Sequence, residues 1–403
     1  MTTEVTRATY RDVFAVPAFR VLFLSRSIAI AADTLRIVAL SVLVFTATGS
    51  AWLSAVTFGI GFLPQVVGGA LLGSLADRLR PRPLIVAGYL AECAAAVALA
   101  TVPMPIWLSL VVVAVVAAGT PVFAGASGRL VAEVLTGDAY VLGRSVTSMA
   151  SGGAQLLGLA VGGVAVSSLG PHRALLVTAG CHLVAGLTVR SGLADLPAPP
   201  AAGASAVRQS WATNAGLLSD AWVRRLLLIH WLPCACVVGA EALIVAYAMA
   251  RGFPPSAVGL LLACSPLGML AGQLVVGRLV RPALRTRSVA PLILVLGLPP
   301  VVFAVDPPLL ACCALMVVSG AGFSYSLGLQ RAFVDAVPEQ RRGQAFGLLS
   351  TGLMTLQGVG PVVFGAVAQL SAARWAIALA GLATVATVTL VPRVSGSRLW
   401  TWP

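Results

Sequence analysis

Four ionisable residues lie deep inside long apolar stretches of this sequence: Asp33, Arg36, Glu92 and Glu241. A charged side chain at the centre of a membrane-spanning helix costs about 2.5–3.5 kcal/mol on the scale derived from helix insertion. Such residues therefore face other helices or a polar cavity, where they pair with one another or bind a polar ligand. The chemistry that they can supply is proton binding and the recognition of charged molecules.

Asp33 and Arg36 are three residues apart, which places both side chains on one face of a helix. This spacing predicts an ion pair within the helix. The alternative is that Asp33 is a carboxylate whose protonation is coupled to substrate binding. The sequence leaves both interpretations open.

Four further polar residues complete the candidate set for substrate or proton binding. Glu241 is isolated in its apolar segment, so it either binds substrate or protons or pairs with Arg36 or a polar helix. Glu92 lies in the middle of another apolar segment, where it pairs with an arginine or stays protonated. Gln155 and Gln357 occupy equivalent positions in the two halves of the chain, where they either contact substrate or form hydrogen bonds between helices.

The elements that must position these residues are membrane helices. The chain has 403 residues, of which 59% are hydrophobic and 10% are charged, and its mean hydropathy is +0.96. Soluble domains carry about 25% charged residues. Since a spanning helix needs about 20 apolar residues, the chain has room for about a dozen. The predicted fold class is an all-α integral membrane protein.

Apolar periodicity and helix breakers predict twelve transmembrane helices in two pseudo-symmetric six-helix halves. The halves are residues 1–190 and 222–403, joined by a polar cytoplasmic loop at 191–221 that is rich in Ala, Pro, Gly and Ser. The first apolar run is too long for a signal peptide and is expected to remain as the first helix. The predicted spans are 19–45, 52–75, 83–102, 105–128, 144–168, 172–190, 223–249, 255–278, 288–305, 308–330, 343–369 and 374–391.

The arginines predict the orientation of these helices. All 26 basic residues are arginines, and with a cytoplasmic N-terminus 21 of them fall on the cytoplasmic side against three on the other. By the positive-inside rule, both termini are expected in the cytoplasm, with the protein in the inner (cell) membrane of a bacterium. Because the arginines are spread over many short loops, no nucleic-acid binding is expected.

The two halves repeat short motifs at a constant offset of 202 residues. Arg129 and Glu133 recur as an Arg-x-x-x-Asp pair at 331–335, and the Gln-x-x-Gly motif at 155–158 recurs at 357–360. Matched motifs at one offset indicate duplication of a six-helix unit. Parallel repeats of this kind are expected of one large class of secondary transporters.

Residues 73–82 read GSLADRLRPR and resemble the G-x-L-a-D-R-x-G-R-R signature between the second and third helices of the major facilitator superfamily. Gly73, Asp77, Arg78 and Arg82 match this signature. With the twelve spans and the duplication, the resemblance extends over nearly the whole chain. It implies a transporter that works by alternating access.

The resemblance also implies roles for individual residues of the signature. Asp77 is expected to help hold the outward-facing state through helix ends and basic groups near Arg129, whereas the alternative is that the arginines only anchor the topology. Arg80 and Pro81 depart from the signature.

A glycine-rich stretch of the fifth predicted helix holds Gly158 and Gly162 at the place where drug/proton antiporters of this family carry a Gly-Pro dipeptide. The proline is missing here, but the equivalent position in the eleventh helix reads Gly360-Pro361. Small residues allow close helix approach and proline allows bending, so both segments are expected to serve contacts that change during transport. The missing proline leaves the antiporter assignment open.

The sequence contains no phosphate-binding G-x-x-x-x-G-K-[ST] loop and no catalytic pattern, so neither ATP use nor enzymatic activity is expected. No cofactor or metal is expected, and His172, His182 and His230 receive no ligand role because they lack metal-ligand spacing. The predicted function is secondary active transport: efflux of a small organic or amphipathic compound, coupled to protons, by a monomer in the lipid bilayer. The alternatives are an importer or uniporter of the same fold and a non-transporting receptor or assembly factor.

Overall fold

The computed structural model describes residues 9–72, 79–135, 137–197, 214–280, 282–338 and 341–391, and within these ranges the regular structure is entirely helical. Residues 302–305 and 387–390 form short 3-10 turns, and residues 214–219 form a short helical stretch. The helices are α1 (Tyr10–Ala15), α2 (Pro17–Thr48), α3 (Ala51–Gly59), α4 (Leu63–Leu72), α5 (Pro81–Thr101), α6 (Ile106–Val134), α7 (Gly137–Leu169), α8 (Pro171–Gly192), α9 (Ala221–Glu241), α10 (Ile244–Ala250), α11 (Pro255–Arg278), α12 (Pro282–Arg285), α13 (Val289–Val301), α14 (Leu309–Gly322), α15 (Tyr325–Ala336), α16 (Arg342–Leu370) and α17 (Ala373–Ala386).

Eleven helical segments among the described residues are long and apolar enough to cross a membrane. The one remaining predicted span, at 288–305, corresponds to a shorter apolar helix, Val289–Val305. The prediction of an all-helical protein with many spans is therefore confirmed. Proline supports several of these starts, since Pro17, Pro81 and Pro171 each occupy the first turn of their helix.

Three of the predicted continuous spans are interrupted. The span predicted at 52–75 is divided into α3 and α4 by a turn at residues 60–62, and the span at 308–330 into α14 and α15 by residues 323–324. A glycine directly precedes each break, Gly59 in the first case and Gly322 in the second, which weakens the helix locally. The span at 223–249 is divided into α9 and α10 by residues 242–243, directly after Glu241.

The chain forms two compact units. The first contains Met1–Gly203 together with Ala248–Ala263, and the second contains Ala204–Tyr247 together with Cys264–Pro403. The sequence-derived halves at 1–190 and 222–403 stay a prediction, and part of the predicted loop lies outside the described residues.

In the first unit, α2 packs against α7 and α8, and α5 packs against α8 and α6. One end of this bundle is a hydrophobic core to which Phe19 and Val189 contribute fully buried side chains. Phe14 contacts Phe19 edge-to-face, with ring centroids 5.5 Å apart. This packing fixes the helices that carry the buried polar residues.

Glycine brings pairs of helices into direct backbone contact in each unit. In the first, a β-carbon at Gly158 of α7 would lie 2.5 Å from the Ala31 carbonyl oxygen of α2. In the second, a β-carbon at Gly360 of α16 would meet the Ala235 carbonyl oxygen of α9. The repeated Gln-x-x-Gly motif thus places a glycine against the helix that carries an acidic residue, Asp33 in α2 or Glu241 in α9.

Candidate functional site

A buried network of ionisable side chains lies in the first unit. Arg36 of α2 forms an ion pair with Asp33 of the same helix, with Nη2 and Oδ1 3.1 Å apart. Its Nη1 donates a hydrogen bond to Glu92 of α5. Glu92 also accepts a 3.5 Å hydrogen bond from the Thr120 hydroxyl of α6. Three helices therefore contribute to one network, and the ion pair predicted from the spacing of Asp33 and Arg36 is present.

The members of this network differ in their access to the surroundings. The side chains of Arg36 and Glu92 are 4% and 2% exposed, whereas that of Asp33 is 32% exposed. The Arg36–Glu92 pair is thus shut inside the bundle, and Asp33 is its accessible neighbour. Of these three side chains, Asp33 therefore has the largest exposed surface.

His182 of α8, one of the three histidines to which the sequence assigned no role, lies beside this network. Its Nε2 lies 3.4 Å from Oδ1 of Asp33, and its side chain is 1% exposed. Its ring also lies 6.4 Å from the ring of Tyr89, measured between centroids. A histidine in the middle of an apolar span was the signal available in the sequence, because an ionisable group within a membrane helix is a functional candidate by default.

Packing holds the segment around Asp33 in place. Gly158 of α7 contacts Ala31 and Thr34. Thr178, fully buried one turn before His182, donates a 3.5 Å hydrogen bond to the Ala32 carbonyl oxygen. The residues on either side of Asp33 along α2 are therefore held by Gly158 of α7 and by the Thr178 hydroxyl of α8.

The donor atoms of Asp33, Glu92 and His182 lie within 4.8 Å of one another. Arg36 already provides a positive charge to both carboxylates. A divalent ion at this place is disfavoured because it would repel the guanidinium at close range. We assign no metal to the network.

In the second unit, Glu241 ends α9 and accepts a hydrogen bond from the Ser265 hydroxyl of α11. Among the described residues, no arginine or histidine forms an ion pair with Glu241. Ser265 is 3% exposed, and its carbonyl oxygen lies against Gly320 of α14. Contact between α11 and α14 thus positions the hydroxyl that Glu241 binds.

The two candidate glutamines have different surroundings. Gln357 of α16 donates a 3.4 Å hydrogen bond to the Cys234 sulfur of α9, as expected for the interhelical alternative. Gln155 is partly exposed on α7. Pro361, directly after Gly360, is buried within α16. Gly162 of α7 contacts Leu35 of α2, one turn beyond the Gly158 contact.

Three residues of the predicted conformational signature, Gly73, Asp77 and Arg78, lie outside the described residues. Arg82 donates a hydrogen bond to the Arg190 carbonyl oxygen at the end of α8. Arg129 forms an ion pair with Glu133, with 3.3 Å between Nε and Oε1.

A bundle of apolar spans with ionisable groups buried among them is typical of membrane transporters. The family model of the Major Facilitator Superfamily matches residues 22–335 and 252–398. The chain belongs to this superfamily. It is therefore a secondary transporter, a multi-pass membrane protein that carries a small molecule, and not an enzyme.

Solved structures of transporters share this fold along nearly the whole chain. A point mutant of the nucleoside transporter NupG has a TM-score of 0.69 at 16% identity and covers 92% of this chain and 98% of its own. A bacterial homologue of the human lysosomal transporter Spinster has a TM-score of 0.66 at 15% identity, with 95% of each chain covered. The human organic anion transporter TETRAN has a TM-score of 0.65 at 17% identity and covers 93% of this chain and 99% of its own. No curated protein sequence matches this chain.

Proposed function

We propose that this transporter exports a small cationic or amphipathic organic compound by alternating access, driven by proton entry. The observation that carries this proposal is the pairing of Arg36 with two carboxylates. Because the buried positive charge is already matched, the accessible charged group of the network is the acidic Asp33. An accessible carboxylate favours a cationic ligand or a proton over an anion.

Glu241 supports the same proposal from the second unit. Its single described partner is the Ser265 hydroxyl, which does not supply a positive charge. A carboxylate inside a membrane helix must be neutralised by a partner, a bound cation or a proton. Glu241 therefore suits binding and release of a proton or of a cationic group during the transport cycle.

The direction of transport follows from the orientation of the helices and the proton gradient. The 21 arginines that fall on one side support a cytoplasmic location of both termini in a bacterial inner membrane. With that orientation, the inward proton gradient of a bacterium can drive a cation outwards by exchange. An importer or uniporter of the same fold is the competing possibility, and flux measurements distinguish it.

The test is an accumulation panel in a bacterial host that lacks its main efflux pumps, with ethidium and related fluorescent organic cations as the first probes. Cells that produce the wild type should accumulate less of at least one compound than empty cells, and a proton uncoupler should remove the difference. Asp33→Asn and Glu241→Gln, produced at equal membrane levels, should each lose at least 90% of the protection.

Asp335→Asn is the matched control, because it makes the same chemical change at a side chain that is 58% exposed. It should export like the wild type. Normal export by both Asp33→Asn and Glu241→Gln would show that the carboxylates are structural and would reject the proposed mechanism. Greater accumulation in producing cells than in empty cells would identify an importer.

A further inference from the structure

His182 is buried beside the accessible acid of the first unit. Its side chain is 1% exposed, and neither ring nitrogen has a hydrogen-bond partner among the described residues. The nearest charged atom is Oδ1 of Asp33, 3.4 Å from Nε2. A buried imidazole without a hydrogen-bond partner loses its hydration without compensation, so a structural role in the core is a poor explanation for it.

The charges of the network do not balance when His182 is neutral. Asp33 and Glu92 then contribute two negative charges, and Arg36 contributes one positive charge, which leaves a net charge of minus one. One additional proton brings the network to neutrality, and a buried network without net charge is strongly favoured in a low-dielectric surrounding. The same four side chains can thus exist in two states that differ by one proton.

We propose that Asp33 and His182 together hold the proton that this transporter exchanges, and that His182 is the buried member of this proton-binding pair. The proposal rests on the proton coupling proposed above and adds a second residue to it. Arg36 and Glu92 stay paired in both states, because their side chains are shut off from solvent and the Thr120 hydroxyl supplies a further hydrogen bond to Glu92.

The proton enters at Asp33, whose side chain is 32% exposed, as one proton from water. It then lies between Oδ1 of Asp33 and Nε2 of His182, and the charge of the network changes from minus one to zero. On release, the proton returns to water through Asp33 and the charge returns to minus one. No bond other than those to the proton is formed or broken.

The charged and titratable groups around His182 come from the three helices that pack against α8. On α7, Tyr140 and Arg144 lie at the far end of the helix, at least about 20 Å from the level of His182 at 1.5 Å per residue. On α2, Arg26 lies about two turns before Asp33. The groups closest to the ring are Asp33 and Arg36 of α2 and Tyr89 and Glu92 of α5.

The chain has only three histidines, which makes the proposal directly measurable. Protein with ¹⁵N-labelled histidine, purified into lipid nanodiscs, gives one pair of ring signals for each of His172, His182 and His230. The signal of His182 is assigned by its loss in His182→Gln. Nuclear magnetic resonance spectra are then recorded from pH 5 to pH 9 for the wild type and for Asp33→Asn.

The His182 ring signals are expected to change between pH 5 and pH 9 in the wild type and to differ from those of Asp33→Asn at the same pH. Because the substitution removes the anion 3.4 Å from Nε2, a smaller share of the ring should be charged at any one pH in the variant. His230, whose Nδ1 donates a 2.9 Å hydrogen bond to the Leu226 carbonyl oxygen, should give the same spectrum in both proteins.

A His182 signal that stays in one form throughout, or that titrates identically in both proteins, would overturn the proposal. Unchanged His172 and His230 signals show that Asp33→Asn is folded. If His182→Gln fails to fold, the signal is assigned instead by elimination with His172→Gln and His230→Gln. The resonance measurement needs no substrate, so its outcome does not depend on the export assay. Export without proton dependence would reject the proposed function but would not change the measured response of His182 to pH.

Discussion

In the first unit, a buried arginine stands between two carboxylates, whereas in the second unit a single carboxylate is bonded to a serine hydroxyl. Asp33 lies on α2 and Glu241 lies on α9. Each of these helices is contacted by the glycine of one copy of the repeated Gln-x-x-Gly motif. The two units thus share this glycine contact, whereas the chemistry around their acidic residues differs.

The difference indicates a division of labour between the two acids. Asp33 belongs to a network whose charge can be balanced by Arg36, so part of the network remains ionised throughout. Glu241 has no cationic partner among the described residues, so in the proposed mechanism it changes its own charge when it binds or releases a proton. Substitution of Arg36 should therefore act mainly on stability, whereas substitution of Glu241 should act on transport and leave stability nearly unchanged.

The largest effect on stability is expected from Arg36→Gln. Loss of the guanidinium leaves two carboxylates without compensation, and removing one partner of a buried ion pair costs about 3–5 kcal/mol. Thermal unfolding of the purified protein in detergent should show a clear fall in midpoint. The double variant Arg36→Gln/Glu92→Gln should recover part of the loss, since one unpaired carboxylate is removed.

Glu241→Gln is the counterpart in the second unit. It leaves no charge unpaired and preserves a hydrogen-bonding group opposite Ser265, so its unfolding midpoint should lie close to that of the wild type. The contrast between the units would fail if Arg36→Gln were as stable as Glu241→Gln, or if the double variant were no better than Arg36→Gln alone.

A smaller effect on stability is expected from the paired glycines. Gly158→Ala and Gly360→Ala place a methyl group against a carbonyl oxygen of α2 or α9, and overpacking of this kind costs about 1–3 kcal/mol. Gly152→Ala in α7 and Gly347→Ala in α16 are matched controls, because a β-carbon at either position has open space. Thermal unfolding should show losses in the first pair alone.

If Gly158→Ala and Gly152→Ala lower the unfolding midpoint equally, the contact between α7 and α2 is not the cause of the loss. A large effect of Gly158→Ala with none for Gly360→Ala would instead show that the close approach of helices matters in the first unit alone.

Ser265→Ala is expected to lower the rate of export by about fivefold. The hydroxyl contributes about 1 kcal/mol through its hydrogen bond to Glu241, and its loss should move the pH at which export is half-maximal. Ser319→Ala is the control, because the Ser319 hydroxyl donates a 2.7 Å hydrogen bond to the Leu296 backbone oxygen. Identical pH profiles for both variants would show that Ser265 has no special connection with Glu241.

The smallest effect is expected from Arg331→Gln. The Arg331 side chain is 88% exposed and lies 3.7 Å from Asp335, and exposed ion pairs of this kind contribute at most about 0.5 kcal/mol. Its repeat counterpart Arg129 is 20% exposed, so Arg129→Gln should lower the unfolding midpoint more. Equal losses of stability in the two variants would show that the greater burial of Arg129 does not strengthen its ion pair.

The sequence predicted those features that depend on local spacing. Apolar run lengths predicted the spans, and a separation of three residues predicted the Asp33–Arg36 pair, because both follow from the geometry of one helix. The arginine that pairs with Glu92 could not be identified, since this contact depends on how α2 and α5 are rotated against each other. The contact of His182 with Asp33 could not be identified for the same reason, although the position of the histidine inside an apolar span marked it as a candidate.

The helix interruptions were also beyond the sequence pattern. Apolar residues continue through residues 242–243, so hydropathy carries no sign that α9 ends at Glu241. The interruption places the carboxylate at a helix end, where backbone carbonyl groups are left without helical partners.

The most direct test of proton-coupled export through these two acids is a flux measurement on purified protein in liposomes. A pH-sensitive dye trapped inside reports proton movement while the most strongly exported panel compound moves down its own gradient. The wild type and Asp335→Asn should move protons against the compound, and Asp33→Asn and Glu241→Gln should each lose at least 90% of that proton flux. Undiminished proton flux in both variants, or compound movement by the wild type without any proton flux, would contradict the mechanism.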